Sequence, residues 1–440
     1  MRVQIANKAM FNNALSTLFP QHNFSEVNGF TIDSRLAEKG DVYLPLKGEN
    51  VNGHDFISDA ISSGASLIFS EQSSTENLDE VIYVDSTLST LKKLAHAYRE
   101  QIECPIIGIT GSNGKTTTKE LLNHVVSAHK KTMCTEGNHN STIGLPISIF
   151  TIEGDEDFCI LEMGASEPNE IAELCKISKP TMGLITNISA AHTENFGSIE
   201  NVAKTKLALF SSLSSDDTAF INIDDEYIST FETKSKKISY SFKSESDFHG
   251  NYSDGQISIN NFDIPLPYPS QIMAQNILAI FSVANTIGIS PIQIADSIKS
   301  FMPLTGRCEL ITHNDITIID DTYNSNLESA KAGIHTLSEY EGVRKIAIIG
   351  DMFELGDFAQ DHHRELGEYI SKSNIDLLLA TGELTKHTVD TASGIDATFF
   401  QNKNDLISAL RKITQSGDVI YVKGSRGMQM ETIIEKGILI

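Results

Sequence analysis

The stretch Thr110-Gly-Ser-Asn-Gly-Lys-Thr-Thr117 sets glycines, a lysine and hydroxyls in the order a phosphate-gripping loop needs. Gly111 and Gly114 let the backbone turn tightly against an anion, and Asn113 tolerates left-handed conformations. Lys115 would reach the outer phosphates of a nucleotide, and the Thr116 hydroxyl would hold Mg2+. The usual spelling asks for a glycine five places before Gly114, where Ile109 stands instead. Only the spelling suffers, because the nest of N–H groups is drawn from residues 111 to 117. A strand-like "CPIIGIT" before and a helix-like "TTTKELLNHVVSAH" after put those N–H groups at the positive end of a helix. The bland alternative is a glycine turn capped by threonines. A phosphate loop alone does not separate a kinase from a ligase or a switch.

Three further residues carry chemistry. Glu162, in "LEMGAS", ends a predicted strand, and His192, in "TNISAAHTENFGS", lies just past the next. Ligands gather at strand carboxyl ends in open α/β sheets, so a carboxylate and an imidazole there could hold a divalent ion beside a γ-phosphate. Each alone reads equally well as a polar loop residue. The helix "SIENVAKTKLALFSSL" has an apolar stripe of Ile199, Val202, Ala203, Leu209, Phe210 and Leu213 with Lys206 at its centre, while Lys204 falls off it. A lysine on a buried face must be paired, neutralised or modified unless it snorkels outward. A neutral Lys206 amine could take up CO2, giving an anionic carbamate able to face Mg2+.

The elements that must position these residues fall into three segments. Residues 1–100 alternate short apolar runs ("DVYLPL", "SLIFS", "VIYV") with helical stretches such as "DFISDAISSG". Residues 101–308 run through the glycine loop and then "DFCILEMG", "MGLITNI" and "TAFINID", each followed by helix-like sequence except the last. That rhythm predicts a parallel, doubly wound sheet, with a hairpin at Asp254-Gly255 in "HGNYSDGQISINNFDIPLPYP". In residues 309–440 the rhythm restarts with "RKIAIIGDM", "IDLLLATG" and "DVIYVKGS", which predicts a separate Rossmann-like α/β domain.

The 440-residue chain is 40% hydrophobic and 21% charged, as a globular protein is, and its net charge of −24 argues against a nucleic-acid partner. A few cations and a metal ion can still serve an anionic small substrate. The start, "MRVQIANKAMFNNAL", lacks the apolar core of a secretory signal, and no apolar run is long enough to span a membrane. The five scattered cysteines read as reduced thiols, so a cytoplasmic protein is expected.

Together these residues resemble the Mur ligase family, the ATP-dependent amide-forming enzymes of peptidoglycan assembly. The family's loop is written TG(T/S)NGKT(T/S), which Thr110 to Thr117 match. Its modified lysine lies in K-x-x-(I/L)-(F/Y), matched by Lys206-Leu-Ala-Leu209-Phe210, and Glu162 and His192 fall on its Mg2+ ligands. The resemblance spans nearly the whole chain. It is closest to members that add D-alanyl-D-alanine to a UDP-N-acetylmuramoyl-tripeptide. In "DSRLAEKGDVYLPLKGENVNGHDF" it implies uridine-diphosphate contacts from Ser34, Arg35, Lys47, His54 and Asp55. In "TEGNHNSTIGLP" it implies muramoyl contacts from Asn138, Asn140 and Ser141. "DDTYNSNLES" and "GDMFELG" are similar to that member's third-domain signatures. No D-N-P-R motif of the sister enzyme that adds the third amino acid is present, and folyl-polyglutamate synthetase shares the loop but not the 34–55 segment.

The same matching implies that Asn276 meets adenine, and that Arg307 and Asp321 meet the ribose and phosphates. Asn324, Asn326, Lys423, Ser425 and Arg426 would line the side of the incoming dipeptide. Ile272 and Met273 stand where the family often has His-Asn. The implied cofactors are ATP, two Mg2+ ions and a CO2-derived carbamate on Lys206, with Thr116 and Glu162 on one ion and His192 and Lys206 on the other. A monomer is expected. A substrate carboxylate would take the γ-phosphoryl group, and the dipeptide amine would then attack the acyl phosphate, in a site where Lys115 and the metals supply positive charge. A small-molecule kinase and a nucleotide-gated binding module remain as competing classes.

Overall fold

The structure, a computed structural model, describes residues 1–72, 80–190, 193–253 and 255–439. His192 and Asp254 lie outside the described residues.

The sequence folds as mixed α/β around three sheets in chain order. The first has five strands from Arg2–Gln4 to Val81–Tyr83, lying side by side in the order they occur in the chain, antiparallel at the first pair and parallel thereafter. The second has nine strands. Third from one edge lies Ile106–Thr110, flanked in parallel by Phe158–Glu162 and Met182–Ile185. The third has six, with the antiparallel strand Glu309–His313 at one edge and five parallel strands behind it.

Strand Ile106–Thr110 shows how the middle sheet is buried on both sides. Ile106 packs into one hydrophobic cluster, and Ile107 and Ile109 into another. Helix Lys115–Ser127 and helix Gln271–Thr286 cover one face through Leu122, Val125, Ile277 and Ile280. Helices Glu170–Ser178 and Ile199–Ser212 cover the other through Leu174, Val202 and Leu209. Strands covered on both faces read as continuous apolar runs rather than alternating ones, as "CPIIGIT" does.

The first cluster also joins the first two sheets. Phe150 meets Phe11 edge-on at 5.0 Å and Phe30 at 4.9 Å between ring centroids, and the Tyr98 hydroxyl donates to the Ile152 carbonyl at 2.5 Å.

Two details differ from expectation. The hairpin extends to a third strand, Phe262–Ile264, antiparallel to Gln256–Ile259, which itself pairs with Phe248–Ser253. Strand Thr218–Asn222 is followed by a helix of four residues, Glu226–Ser229, too short to show a period. Asp225 starts it by accepting the Tyr227 and Ile228 N–H groups.

Candidate active site

The glycine loop joins strand Ile106–Thr110 to helix Lys115–Ser127. Two of its positions tolerate nothing larger than glycine. A Cβ on Gly111 would lie 1.9 Å from Thr186 Oγ1, and Gly114 turns into the helix at φ +79° with Asn276 Oδ1 2.9 Å from where a Cβ would stand. The strand-end segment after Met182–Ile185 grips the loop. Thr186 Oγ1 and Asn187 Nδ2 donate to the Asn113 carbonyl at 2.6 and 3.1 Å, and the Asn113 N–H donates back to Asn187 Oδ1 at 3.1 Å. The Ser112 hydroxyl donates to the Ser189 carbonyl at 2.9 Å. These residues hold the backbone in shape for an anion before one arrives, which is preorganisation.

Lys115 folds back over the loop, donating to the Gly111 and Ser112 carbonyls at 2.8 and 3.2 Å. Burial pulls its ammonium below the ordinary lysine value; the Glu162 carboxylate opposes that shift and Arg307 adds to it. Glu162, 1% exposed at the end of its strand, accepts from Asn140 Nδ2 at 2.6 Å and Thr116 Oγ1 at 3.1 Å, both through Oε1. Its Oε2 is buried and has no hydrogen-bond partner among the described residues. A buried carboxylate oxygen left open beside a threonine hydroxyl is costly as it stands and is the donor set a hard divalent cation takes, so these residues fit Mg2+.

Lys206, on helix Ile199–Ser212, is 2% exposed as its place in the apolar stripe requires. Burial, with Lys115 adding its charge, pushes its amine well below the usual lysine range. His192 cannot be placed, being outside the described residues.

A cleft of about 650 Å³ brings the loop residues Asn113 to Thr117 together with Asn138, Asn140, Ser141 and Glu162 on one side. Asn276, Arg307, Asp321, Asn324, Asn326 and Lys423 close the other. Asp321 accepts from Lys423 Nζ at 2.5 Å and the Tyr421 hydroxyl at 2.9 Å, and Lys423 also donates to the Asn324 carbonyl. The Arg307 guanidinium stacks on the Tyr323 ring, 3.8 Å from its centroid. Asn326 caps helix Leu327–Glu339 and also donates to Asn113 Oδ1 at 2.7 Å, so the third sheet's domain touches the phosphate loop. Asn276 accepts from Thr118 Oγ1 at 3.2 Å and borders a second recess of about 410 Å³, which adds Phe242 and Tyr252.

Several residues singled out in the sequence do not line this cleft. Gly111 and Lys206 are buried and do not line it. Ser425 accepts the Phe353 N–H at 2.8 Å, and Arg426 pairs with Glu431 at 2.9 Å. Ser34, Arg35, Lys47, His54 and Asp55 sit on connections of the first sheet. Arg35 grips Asp33 with two nitrogens, at 2.9 and 2.7 Å, and its guanidinium holds the Asp33 carboxyl down to about 2. Lys47 and Asp55 are exposed. His54 is buried, with Nδ1 2.9 Å from Asn52 Oδ1 and Nε2 accepting the Glu71 N–H at 3.1 Å. Its imidazole therefore holds the loop, and any part it plays at a substrate runs through that loop.

Sequence reasoning missed Asn187 and Ser189, although the strand-end rule that selected Glu162 applies equally to them. It also missed Lys119, buried on the same helix stripe as Leu122 and Val126, the signal that had exposed Lys206.

The chain is similar to known proteins over most of its length. The family description Mur ligase family, catalytic domain, matches residues 26–104; Mur ligase middle domain matches 109–284; and Mur ligase, glutamate ligase domain, matches 306–426. The UDP-N-acetylmuramoyl-tripeptide–D-alanyl-D-alanine ligase of Bacillus subtilis is 32% identical, with 94% of each chain covered. The enzyme of the same name from Escherichia coli is 31% identical over 93% of each. Among solved structures, MurF from Acinetobacter baumannii superposes with a TM-score of 0.88 at 26% identity over 98% of both chains. MurF ligase from Thermotoga maritima, in complex with ADP, superposes at 0.82 with 29% identity, covering 92% of this chain and 96% of that one.

Proposed function

This chain belongs to the Mur ligase family, ATP-dependent ligases that form carbon–nitrogen bonds, and from that premise we propose that it adds D-alanyl-D-alanine to UDP-N-acetylmuramoyl-tripeptide in cytoplasmic peptidoglycan precursor synthesis, acting as a monomer. The observation that carries the reading is the cleft in which Lys115, Glu162 and Asn140 face Arg307, Asp321 and Lys423. It gives a triphosphate and two organic substrates one enclosed place to meet.

In this reading the nucleotide phosphates lie on the loop N–H groups, with Lys115 swung from its carbonyl partners onto the γ-phosphate. Adenine enters the recess beside Asn276, and Arg307 and Asp321 take the ribose and phosphates. The tripeptide carboxylate approaches past Asn138, Asn140 and Ser141 and attacks the γ-phosphorus; ADP leaves, and an acyl phosphate remains. The dipeptide amine, held near Asn324, Asn326 and Lys423, attacks the acyl carbon, and phosphate departs from the tetrahedral intermediate. Every step gathers anions, so fixed positive charge and oriented N–H donors carry most of the rate.

Thr116 and Glu162 would hold one Mg2+, with Lys206, as its carbamate, and His192 at a second. Bound there, the ions neutralise the phosphate oxygens. The buried, easily deprotonated Lys206 amine supports carbamate formation, because only the neutral amine reacts with CO2. Ser34, Arg35, Lys47 and Asp55 would meet the uridine diphosphate, with His54 bracing their loop, and Ser425 and Arg426 would border the dipeptide.

Phosphate release decides the assignment. A ligase frees phosphate only when ATP, the tripeptide substrate and D-alanyl-D-alanine are all present. Phosphate retained on an organic product indicates a kinase, and no turnover indicates a binding module.

A further inference from the structure

The loop helix carries a second lysine where it packs against the 135–137 segment. Lys119, one turn after Lys115, is completely buried, yet its three ammonium protons all have acceptors. It donates to the Thr135 carbonyl at 2.7 Å and the Gly137 carbonyl at 3.1 Å, and it pairs with Glu120 at 2.6 Å. Thr135 is itself tied to the metal-facing strand: its hydroxyl accepts the Glu162 N–H at 3.1 Å, and its own N–H donates to the Ile160 carbonyl at 2.9 Å. Beyond Gly137, which turns at φ +53°, the chain delivers Asn140 to Glu162 Oε1.

We infer that Lys119 is a positioning residue: by clamping the Thr135 and Gly137 carbonyls to the nucleotide helix, it fixes the Glu162 carboxylate and the 138–141 segment relative to the phosphate loop. The geometry favours this over a purely structural lysine. Thr116 holds Glu162 from above and Thr135 holds it from behind, and both connect to a single helix, Thr116 by belonging to it and Thr135 through Lys119. A methionine would fill the same space but take the ammonium donor from the buried Thr135 carbonyl and from the Gly137 carbonyl, freeing the segment to move. The inference rests on the ligase reading only where it names the uridine-linked substrate.

The test uses the full chain with Lys119→Met, which keeps the stem and removes the donors, and Thr135→Val, which keeps the shape and removes the hydroxyl. Calorimetric titration with ATP, with and without Mg2+, is read beside steady-state kinetics and thermal melts. Both variants should weaken Mg2+-dependent nucleotide binding about 10-fold or more, the size of effect seen when partners of metal ligands are lost. Metal-free nucleotide binding should hold. KM for the tripeptide substrate should rise by a similar factor, while KM for the dipeptide stays within about twofold, since the clamp holds the 135–137 segment and Glu162 rather than Asn324, Asn326 or Lys423. Lys119→Arg, still a cation able to reach both carbonyls, should recover most of the loss.

Unchanged Mg2+-dependent affinity in Lys119→Met overturns the inference, as does a uniform loss of every affinity with a lowered melting temperature. If Lys119→Met does not fold, unchanged Mg2+-dependent affinity in Thr135→Val overturns it instead, and a selective loss there supports it. Should the wild-type chain release no phosphate from its proposed substrates while the calorimetric split persists, the ligase reading falls and the role of Lys119 stands.

Discussion

Asn326 Nδ2 lies 2.7 Å from Asn113 Oδ1 although the two residues are 213 positions apart, one capping a helix of the third domain and the other in the middle of the phosphate loop. The Asn326 side chain serves both ends at once, its oxygen accepting the Ser329 N–H at 2.9 Å. One amide thus links the side of the cleft that holds Asn324 and Lys423 to the glycine loop.

Asn326→Asp separates the two jobs. The carboxylate keeps the helix cap, so the melting temperature should hold, whereas Asn326→Ala should lose roughly 1 kcal/mol of stability with the cap. Both variants lose the donor to Asn113. Both should raise KM for D-alanyl-D-alanine by about 10-fold, one charge-free hydrogen bond's worth. Steady-state assays and melts on the pair check this, and a normal KM in Asn326→Asp sinks it.

Glu162→Gln keeps the shape of the side chain and removes the charge that the open Oε2 presents. Phosphate release should fall by at least about 100-fold, with a matching rise in the Mg2+ concentration for half-activity, since a carboxylate that holds the proposed Mg2+ matters no less than its outer partners. Magnesium titration of the variant measures it.

Lys206 offers a pH signature. Lower pH protonates its amine and drives CO2 off, so activity should fall when the protein is degassed at mildly acid pH and return on adding bicarbonate at neutral pH. Lys206→Ala should be inactive under both conditions. Full activity in that variant would end the carbamate proposal while leaving the ligase assignment in place.

His363 predicts how stability depends on pH. It is fully buried, its Nδ1–H donating to the Ala359 carbonyl at 2.6 Å and its Nε2 accepting the Met352 N–H at 3.1 Å. Burial lowers its pKa below the ordinary value of 6.5, outweighing the nearby Asp351 carboxylate. The unfolded chain therefore takes up the proton first. Its stabilising contribution is full above pH 6.5 and shrinks as pH falls from there toward the depressed folded value. Melts between pH 7 and 5 should show this slope, and His363→Gln should flatten it.

Much of this was legible in one dimension. The loop spells its chemistry in consecutive residues, and the phase of the 199–213 helix exposed Lys206 before any neighbour was known. Strand ends flagged Glu162 because chain direction alone decides which end of a parallel strand faces a ligand. What stayed hidden depends on partners without side-chain signatures. Lys119 is held by backbone carbonyls, which any residue could supply, and His54 looks like a surface ligand until Asn52 and Glu71 are seen to occupy both ring nitrogens. The Asn113–Asn326 contact joins two polar residues 213 positions apart in the chain, a pairing that no local pattern encodes.

The aromatic seam of Phe11, Phe30 and Phe150 has a calorimetric consequence. Because the first two sheets share one hydrophobic cluster, while the third sheet's core meets the middle sheet's second cluster through the half-buried Cys308, Leu310 and Tyr340, heat should melt this polypeptide as two cooperative blocks rather than three. The fault line between them falls near the exposed Met302 and Leu304, where a protease should cut first.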